Sequence, residues 1–176
     1  MTKLKLDLVM QVCVAVRDVD KALEEWRKLF DVEEKTVHFS NSWEAFERGD
    51  LTPMNYYGVQ GKYQYRQLNF HCAGLDIEMF QPLDVEERGN PVSDFLREHG
   101  PGIHHVSIRL ANREEGLRTL REDMGVPCMW EGLCFNRHYC YWDLREILGI
   151  TLEVGSRVVG PRAQMTEEEL AAILRP

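Results

Sequence analysis

Positive charge is scarce in this chain: 21 Lys and Arg stand against 29 Asp and Glu, for a formal net charge of -8. Nucleic-acid binding needs clustered cations to neutralise phosphates. The cations here are scattered among acids, so no nucleic-acid partner is expected. Long apolar runs are also missing. None approaches the roughly 20 residues that span a bilayer, so no membrane partner is expected. Met1 to Met10 carries Lys3 and Lys5 but no apolar core followed by a small-residue cleavage site, so no secretory leader is predicted. The five cysteines (Cys13, Cys72, Cys128, Cys134, Cys140) form no C-x-x-C pair and are odd in number. Reduced thiols in a cytoplasmic protein are the reading that follows.

What is present suffices for a sizeable core: 44% of the 176 residues are hydrophobic and 28% charged. That length suits one domain or two small fused halves. An internal repeat favours halves. Gln11-Val-Cys-Val-Ala-Val-Arg-Asp18 and His105-Val-Ser-Ile-Arg-Leu-Ala-Asn112 align without a gap, each alternating apolar residues at period two before switching to helical spacing. Asp18 and Asn112 sit at the switch as N-caps, whose side-chain oxygens accept the free amides of a first turn. Ala22, Leu23, Trp26, Leu29 and Phe30 make one apolar stripe; Leu117, Leu120 and Met124 make its copy, with Gly125 as the stop. Each half closes on a similar strand, Gly74-Leu-Asp-Ile-Glu78-Met79 and Gly149-Ile-Thr-Leu-Glu153-Val154. Each half thus reads as strand, helix, then about three strands.

The division expected is a first module over 1–85, a linker with a short helix over 86–102, a second module over 103–158 and a tail helix within 159–176. Asn90-Pro91 starts the linker helix and Gly100-Pro101-Gly102 ends it. Thr166 and Glu169 form a capping box for the tail. Residues 39–61 show no period and are expected to form a long loop or irregular insert.

Side chains alternate faces along a strand. Val12, Val14 and Val16 should pack on the first helix, leaving Gln11, Cys13 and Ala15 on the other face. In the copy, His105, Ser107 and Arg109 face away from the second helix. In the closing strands, so do Asp76 and Glu78, and Thr151 and Glu153. Gln11 matches His105, and Glu78 matches Glu153. A pseudo-twofold would bring these four to one point in a shared cleft. One imidazole, one amide oxygen and two carboxylates suit a divalent ion such as Zn, Mn, Co, Ni or Fe. Arg109, on the same face, could bind an anionic substrate group, with a salt bridge to Asp76 as the plainer role. Tyr141 could wall the cleft. His104 should point to the opposite face, and His71 or His138 could line the cleft.

The stretches Ile77-Glu-Met-Phe-Gln-Pro82, His99-Gly-Pro-Gly-Ile-His-His105-Val106 and Tyr141-Trp-Asp143 running into Leu148-Gly-Ile-Thr-Leu-Glu153 resemble methylmalonyl-CoA epimerase and related glyoxalase-like proteins of the vicinal-oxygen-chelate superfamily. The resemblance implies an α+β fold of two paired βαβββ modules, with a curved mixed sheet around a metal cleft. It implies a small-molecule substrate that chelates through vicinal oxygens, and a homodimer. Two departures matter. Epimerases of this type usually carry His where this chain has Gln11, and Gln where it has Glu78. The set Gln, Glu, His, Glu resembles eukaryotic glyoxalase I, yet Ala15, Pro82 and Pro101 stand where those enzymes hold glutathione with Arg or Asn. Gln11 also breaks the two-His, one-Glu set of extradiol dioxygenases. The expected chemistry is proton abstraction next to a carbonyl, giving epimerisation or isomerisation. Glu153 is the general base and Glu78 the second acid/base; Glu44 or Glu47 is the alternative to Glu78. A glyoxalase-like lyase on a non-glutathione substrate, or a binding protein without catalysis, is the other reading.

Overall fold

The computed structural model describes residues 3–135 and 137–155. Two antiparallel strands, β1 (Leu6–Ala15) and β7 (Gly102–Leu110), lie at the centre of one sheet. β6 (Leu75–Pro82) runs parallel to β1, and β10 (Ile150–Gly155) parallel to β7. Beyond β6 come β5 (Tyr65–Cys72) and β2 (His38–Asn41). Beyond β10 come β9 (Arg137–Leu144) and β8 (Cys128–Cys134), then β3 (Met54–Tyr56) and β4 (Val59–Gly61). The result is the expected α+β architecture, a mixed sheet of ten strands curled into a half-barrel.

The helices begin where capping chemistry predicts. Asp18 accepts the Lys21 amide at 3.0 Å to start α1 (Val19–Leu29). Asn112 accepts the Glu115 amide at 3.3 Å to start α4 (Arg113–Arg118), which continues as a π-turn over Thr119–Asp123. Asn90 caps α3 (Pro91–His99), with proline in its first turn. α1 and α4 cover opposite ends of the convex face. Leu23 and Val19 pack with Val16, Leu68, Phe70, Ile77 and Met79. Leu120 packs with Ile108, Leu110, Trp142, Leu152 and Val154. A side chain on Gly116 would collide with Leu110, so glycine lets α4 approach β7 closely.

Residues 39–61 are not a loop. They supply most of β2, then α2 (Ser42–Arg48), β3 and β4. Asn41 caps α2, and Gly49 ends it in a left-handed conformation, φ 77°. Ser42 is buried, donating to the Tyr63 carbonyl at 2.9 Å and accepting the Tyr65 amide at 3.0 Å. The β3–β4 hairpin then crosses to the other half and pairs with β8, Asn55 opposite Glu131 and Tyr56 opposite Trp130. It drives Met54 into the concave face, among Cys13, Ala15, Tyr65, Phe80, Met129, Trp130 and Tyr141. The tail helix expected near Thr166 lies outside the described residues. Among the described residues no helix is long and apolar enough to cross a membrane.

One local feature overturns an expectation. Cys13 lies opposite His105, but Val14 lies opposite Ile103, so two residues of β7 face one of β1. This is a β-bulge, and it breaks the face alternation at that point. His104 therefore does not point away from His105. Its ring packs with Phe95, Trp130 and Tyr141 on the concave side.

Candidate metal centre

Register brings three donors together. Cys13 on β1 sits opposite Glu78 on β6 and opposite His105 on β7. Their donor atoms all lie within 4.8 Å of one another, and all three residues are buried. His105 is 0% exposed and Glu78 6%. Glu153 comes from β10, where it lies opposite Ser107 and Tyr141. His105 Nε2 stands 3.4 Å from Glu78 Oε2 and 3.6 Å from Glu153 Oε2. Neither contact is aligned as a hydrogen bond, and this buried nitrogen has no hydrogen-bond partner among the described residues. A buried, unsatisfied nitrogen between two carboxylates is costly unless a cation completes it. The donor set fits a divalent metal ion: neutral imidazole nitrogen, carboxylate oxygen and sulfur are its usual ligands.

The surrounding groups orient these donors. His104 Nδ1 and His105 Nδ1 lie 2.9 Å apart, a contact that needs one donor and one acceptor. With His105 as donor, its Nε2 presents a lone pair to the cleft, as in metal-bound histidines whose other nitrogen is held by a neighbour. Burial, and then the charge of His105, push the pKa of His104 down to about 3, which keeps it neutral. Burial disfavours the charged form of His105 too. The carboxylates of Glu153 and Glu78 outweigh that and hold its pKa above the usual value. Without a metal, the same position therefore attracts a proton. Burial, and then Glu78, push the Cys13 thiol up. Glu78 Oε1 accepts from the Gln67 amide and from Asn69 Nδ2, the latter at 3.3 Å. The Tyr141 ring meets His105 edge-on, centroids 4.6 Å apart, and stacks on Trp130 at 4.7 Å.

Of the residues singled out from the sequence, Glu78, His105, Glu153 and Tyr141 are brought together. Gln11 is half-buried on the same face, one step along, opposite Asp76 and Ser107. Arg109 is not brought to the site; its Nε donates to Asp7 at 2.6 Å in a partly exposed pair. Asp76 instead meets His71 at 3.3 Å, and His138 contacts Glu131 and Arg113. Glu44 and Glu47 are exposed on α2, and Glu44 pairs with Arg48. Sequence reasoning missed His104, Gln67 and Asn69, and passed over Cys13 as a donor. Alternation along β1 had already put Cys13 on the cleft face; its importance came from register, which the repeat alone does not reveal. A cavity of about 240 Å³ is lined by His104, Met129 and Thr151 together with Tyr56, Phe95 and Arg145, and by none of Cys13, Glu78, His105 and Glu153.

The fold has counterparts among solved structures. Methylmalonyl-CoA epimerase from Mycobacterium tuberculosis is similar at 19% identity, with 88% of this chain and 91% of that chain covered and a TM-score of 0.58. A Streptomyces coelicolor methylmalonyl-CoA epimerase variant in complex with 2-nitronate-propionyl-CoA is similar at 15% identity, with 89% and 99% covered and a TM-score of 0.54. At such identities the likeness is one of fold. No curated protein matches the chain in sequence. The family model described as Glyoxalase/Bleomycin resistance protein/Dioxygenase superfamily matches residues 10–142, about three quarters of the chain. The chain therefore belongs to that superfamily, whose fold is the vicinal-oxygen-chelate arrangement of paired modules seen here.

Proposed function

We propose that the protein is a divalent-metal-dependent epimerase or isomerase that moves a proton at the carbon next to a carbonyl, in the manner of methylmalonyl-CoA epimerase. The observation that carries this reading is the pair of carboxylates, Glu78 and Glu153, flanking one buried imidazole nitrogen. Glu78, His105 and Glu153 would hold the ion, with a fourth donor from β1, for which Gln11 is the candidate from the repeat. When bound, the ion supplies positive charge against the negative charge that develops on the substrate oxygen.

The two carboxylates differ in freedom, and that difference assigns their roles. Glu78 is 6% exposed and tied by Gln67 and Asn69. It is a fixed group, suited to holding the ion and, from the opposite side, to returning a proton. The Glu153 side chain is 16% exposed against 8% for that of Glu78, and its carboxylate stands 3.6 Å from His105 Nε2. Among the described residues no side-chain amide holds it, and it is assigned as the base that takes the proton. A base must come within about 3 Å of that proton in the bound complex. Tyr141, held flat by Trp130, walls the site and fixes the His105 ring. Water is kept away by the apolar cluster that Met54 completes.

The cavity of about 240 Å³ that His104 lines has room for the non-reacting part of a substrate. Asp94 and Glu98 also line it, and Arg145 is already neutralised by Asp143 at 2.7 Å. That lining does not favour a phosphate group there. The test is solvent deuterium exchange at the carbon next to the carbonyl, screened over 2-substituted acyl thioesters and 2-oxo or 2-hydroxy acids. Metal-loaded wild type should exchange one such class, and metal-loaded Glu153→Gln should lose about 10²- to 10⁴-fold of that rate. Exchange unchanged in Glu153→Gln moves the base elsewhere.

A further inference from the structure

We propose that residues 50–61, which carry the β3–β4 hairpin, form the gate through which ion and substrate reach the concave face, with Met54 as its plug. This rests on the metal centre proposed above and names its entrance.

The centre is closed. His105 is fully buried, Glu78 nearly so, and the Glu153 side chain is 16% exposed. The rings around them, Tyr65, Phe80, Trp130 and Tyr141, are buried too. The cavity of about 240 Å³ reaches none of these three donors. A substrate bound beside Glu153 therefore needs part of the concave cover to move. Met54 is the outermost member of a row of contacts that ends at the centre. Its sulfur accepts the Trp130 indole N–H at 3.2 Å, Trp130 stacks on Tyr141 at 4.7 Å, and Tyr141 meets His105 edge-on at 4.6 Å. A side chain on Gly132 would collide with the Tyr139 hydroxyl and crowd Met54, so glycine there leaves β8 a socket for the plug.

Of the elements that cover this face, α3 is anchored and the hairpin is not. In α3, Val92, Ser93 and Leu96 are buried. Ser93 donates to the Asp84 carbonyl at 2.7 Å, and Arg97 to the Val85 carbonyl at 3.0 Å. In the hairpin segment, Met54 is the one buried residue between positions 50 and 61. Tyr57 is 49% exposed and Val59 64%. β4 ends the sheet, so its outer edge pairs with no strand among the described residues. The ties to the second half are backbone bonds at the sheet edge, Thr52 N to the Leu133 carbonyl at 3.2 Å and Tyr57 N to the Met129 carbonyl at 2.8 Å. The Tyr57 hydroxyl adds a latch, donating to Asp143 at 3.0 Å. A segment with one buried side chain and exposed backbone bonds opens before the core does. Lifting it withdraws Met54 and leaves the two halves of the sheet in place.

The experiment has two arms, both on the full chain. In the first, backbone hydrogen exchange of the wild type is read by mass spectrometry, which needs no variant to fold. Residues 50–57 should exchange about 100-fold faster than β1 and β7, or more. Equal rates would mean that the hairpin opens only on unfolding, and would overturn the gate. The second arm staples the hairpin beside Met54. Asn55 and Glu131 lie directly opposite on antiparallel strands. Such positions have Cα atoms about 4.5–5.5 Å apart, within reach of a disulfide. The double variant Asn55→Cys, Glu131→Cys is loaded with zinc and oxidised with an added organic disulfide, and the same variant kept reduced is its control. Loss of zinc to a chromophoric chelator should be about tenfold slower in the oxidised form, or more. Equal rates in the two forms overturn the gate and leave the metal centre standing. Failure of wild type to bind any divalent ion overturns the centre and the gate with it.

Discussion

Removing His105 in the absence of metal leaves Glu78 and Glu153 facing each other across a buried gap. At 3.4 and 3.6 Å, each carboxylate attracts the imidazolium by about 5 kcal/mol at an effective dielectric constant near 20. Desolvating both partners offsets most of that, so the intact pair adds little net stability. Breaking it is another matter: an uncompensated buried charge costs about 3–5 kcal/mol. His105→Ala should therefore destabilise the chelator-treated protein by about that much in urea unfolding. Adding Glu78→Gln should return part of the loss, because one stranded charge is gone. The double variant should be less destabilised than the sum of the singles by about 1–3 kcal/mol. The pH dependence has a fixed sign. The pKa of His105 is raised in the folded state, so the pair's contribution is fully present below the unfolded value of about 6.5. It is lost as pH rises through the folded value. The cycle is best run near pH 6 and should shrink in more alkaline buffer. Additivity within about 0.5 kcal/mol at pH 6 would refute the claim that the three groups form one coupled cluster.

Asn69→Ala removes one of the two amides that hold Glu78 Oε1; metal affinity measured by competition with a chromophoric chelator should fall by about 10- to 100-fold, the effect of losing an outer partner. Met54 is fully buried and accepts the Trp130 indole N–H at 3.2 Å. Met54→Ala should cost about 2–5 kcal/mol in thermal or urea unfolding, and a cost under 0.5 kcal/mol would argue against the hairpin's seating on the second half. Asp143 is held at a pKa of about 2, first by the Arg145 guanidinium and also by the Tyr57 hydroxyl. Its contribution is present above about pH 4 and lost as pH falls towards 2. Asp143→Asn should flatten that part of the stability profile, and an unchanged acid limb would show that the pair contributes nothing.

Much of this site is legible in the sequence. The repeat placed Glu78, His105 and Glu153 on cleft-facing positions because strand alternation and helix capping are local rules, and both act within a few residues. Asp18, Asn90 and Asn112 did cap their helices for the same reason. What escaped the sequence was non-local or anomalous. The bulge that turns His104 into the cleft depends on a mismatch between β1 and β7. The β3–β4 hairpin consists of two three-residue strands, too short to show a period, and it gains its stability from a strand far along the chain. Arg109 was drawn away by Asp7, a residue on the exposed end of β1 that no repeat relates to it. Gln67 and Asn69 lie on β5, whose poorly periodic sequence concealed which face they share with Glu78.

The central claim, that one divalent ion is held around His105, is tested most directly by counting metal. Wild-type protein loaded with zinc or cobalt and freed of excess should retain close to one ion per chain by elemental analysis. His105→Ala, folded by circular dichroism and treated identically, should retain almost none. Equal metal in the two proteins would contradict the claim.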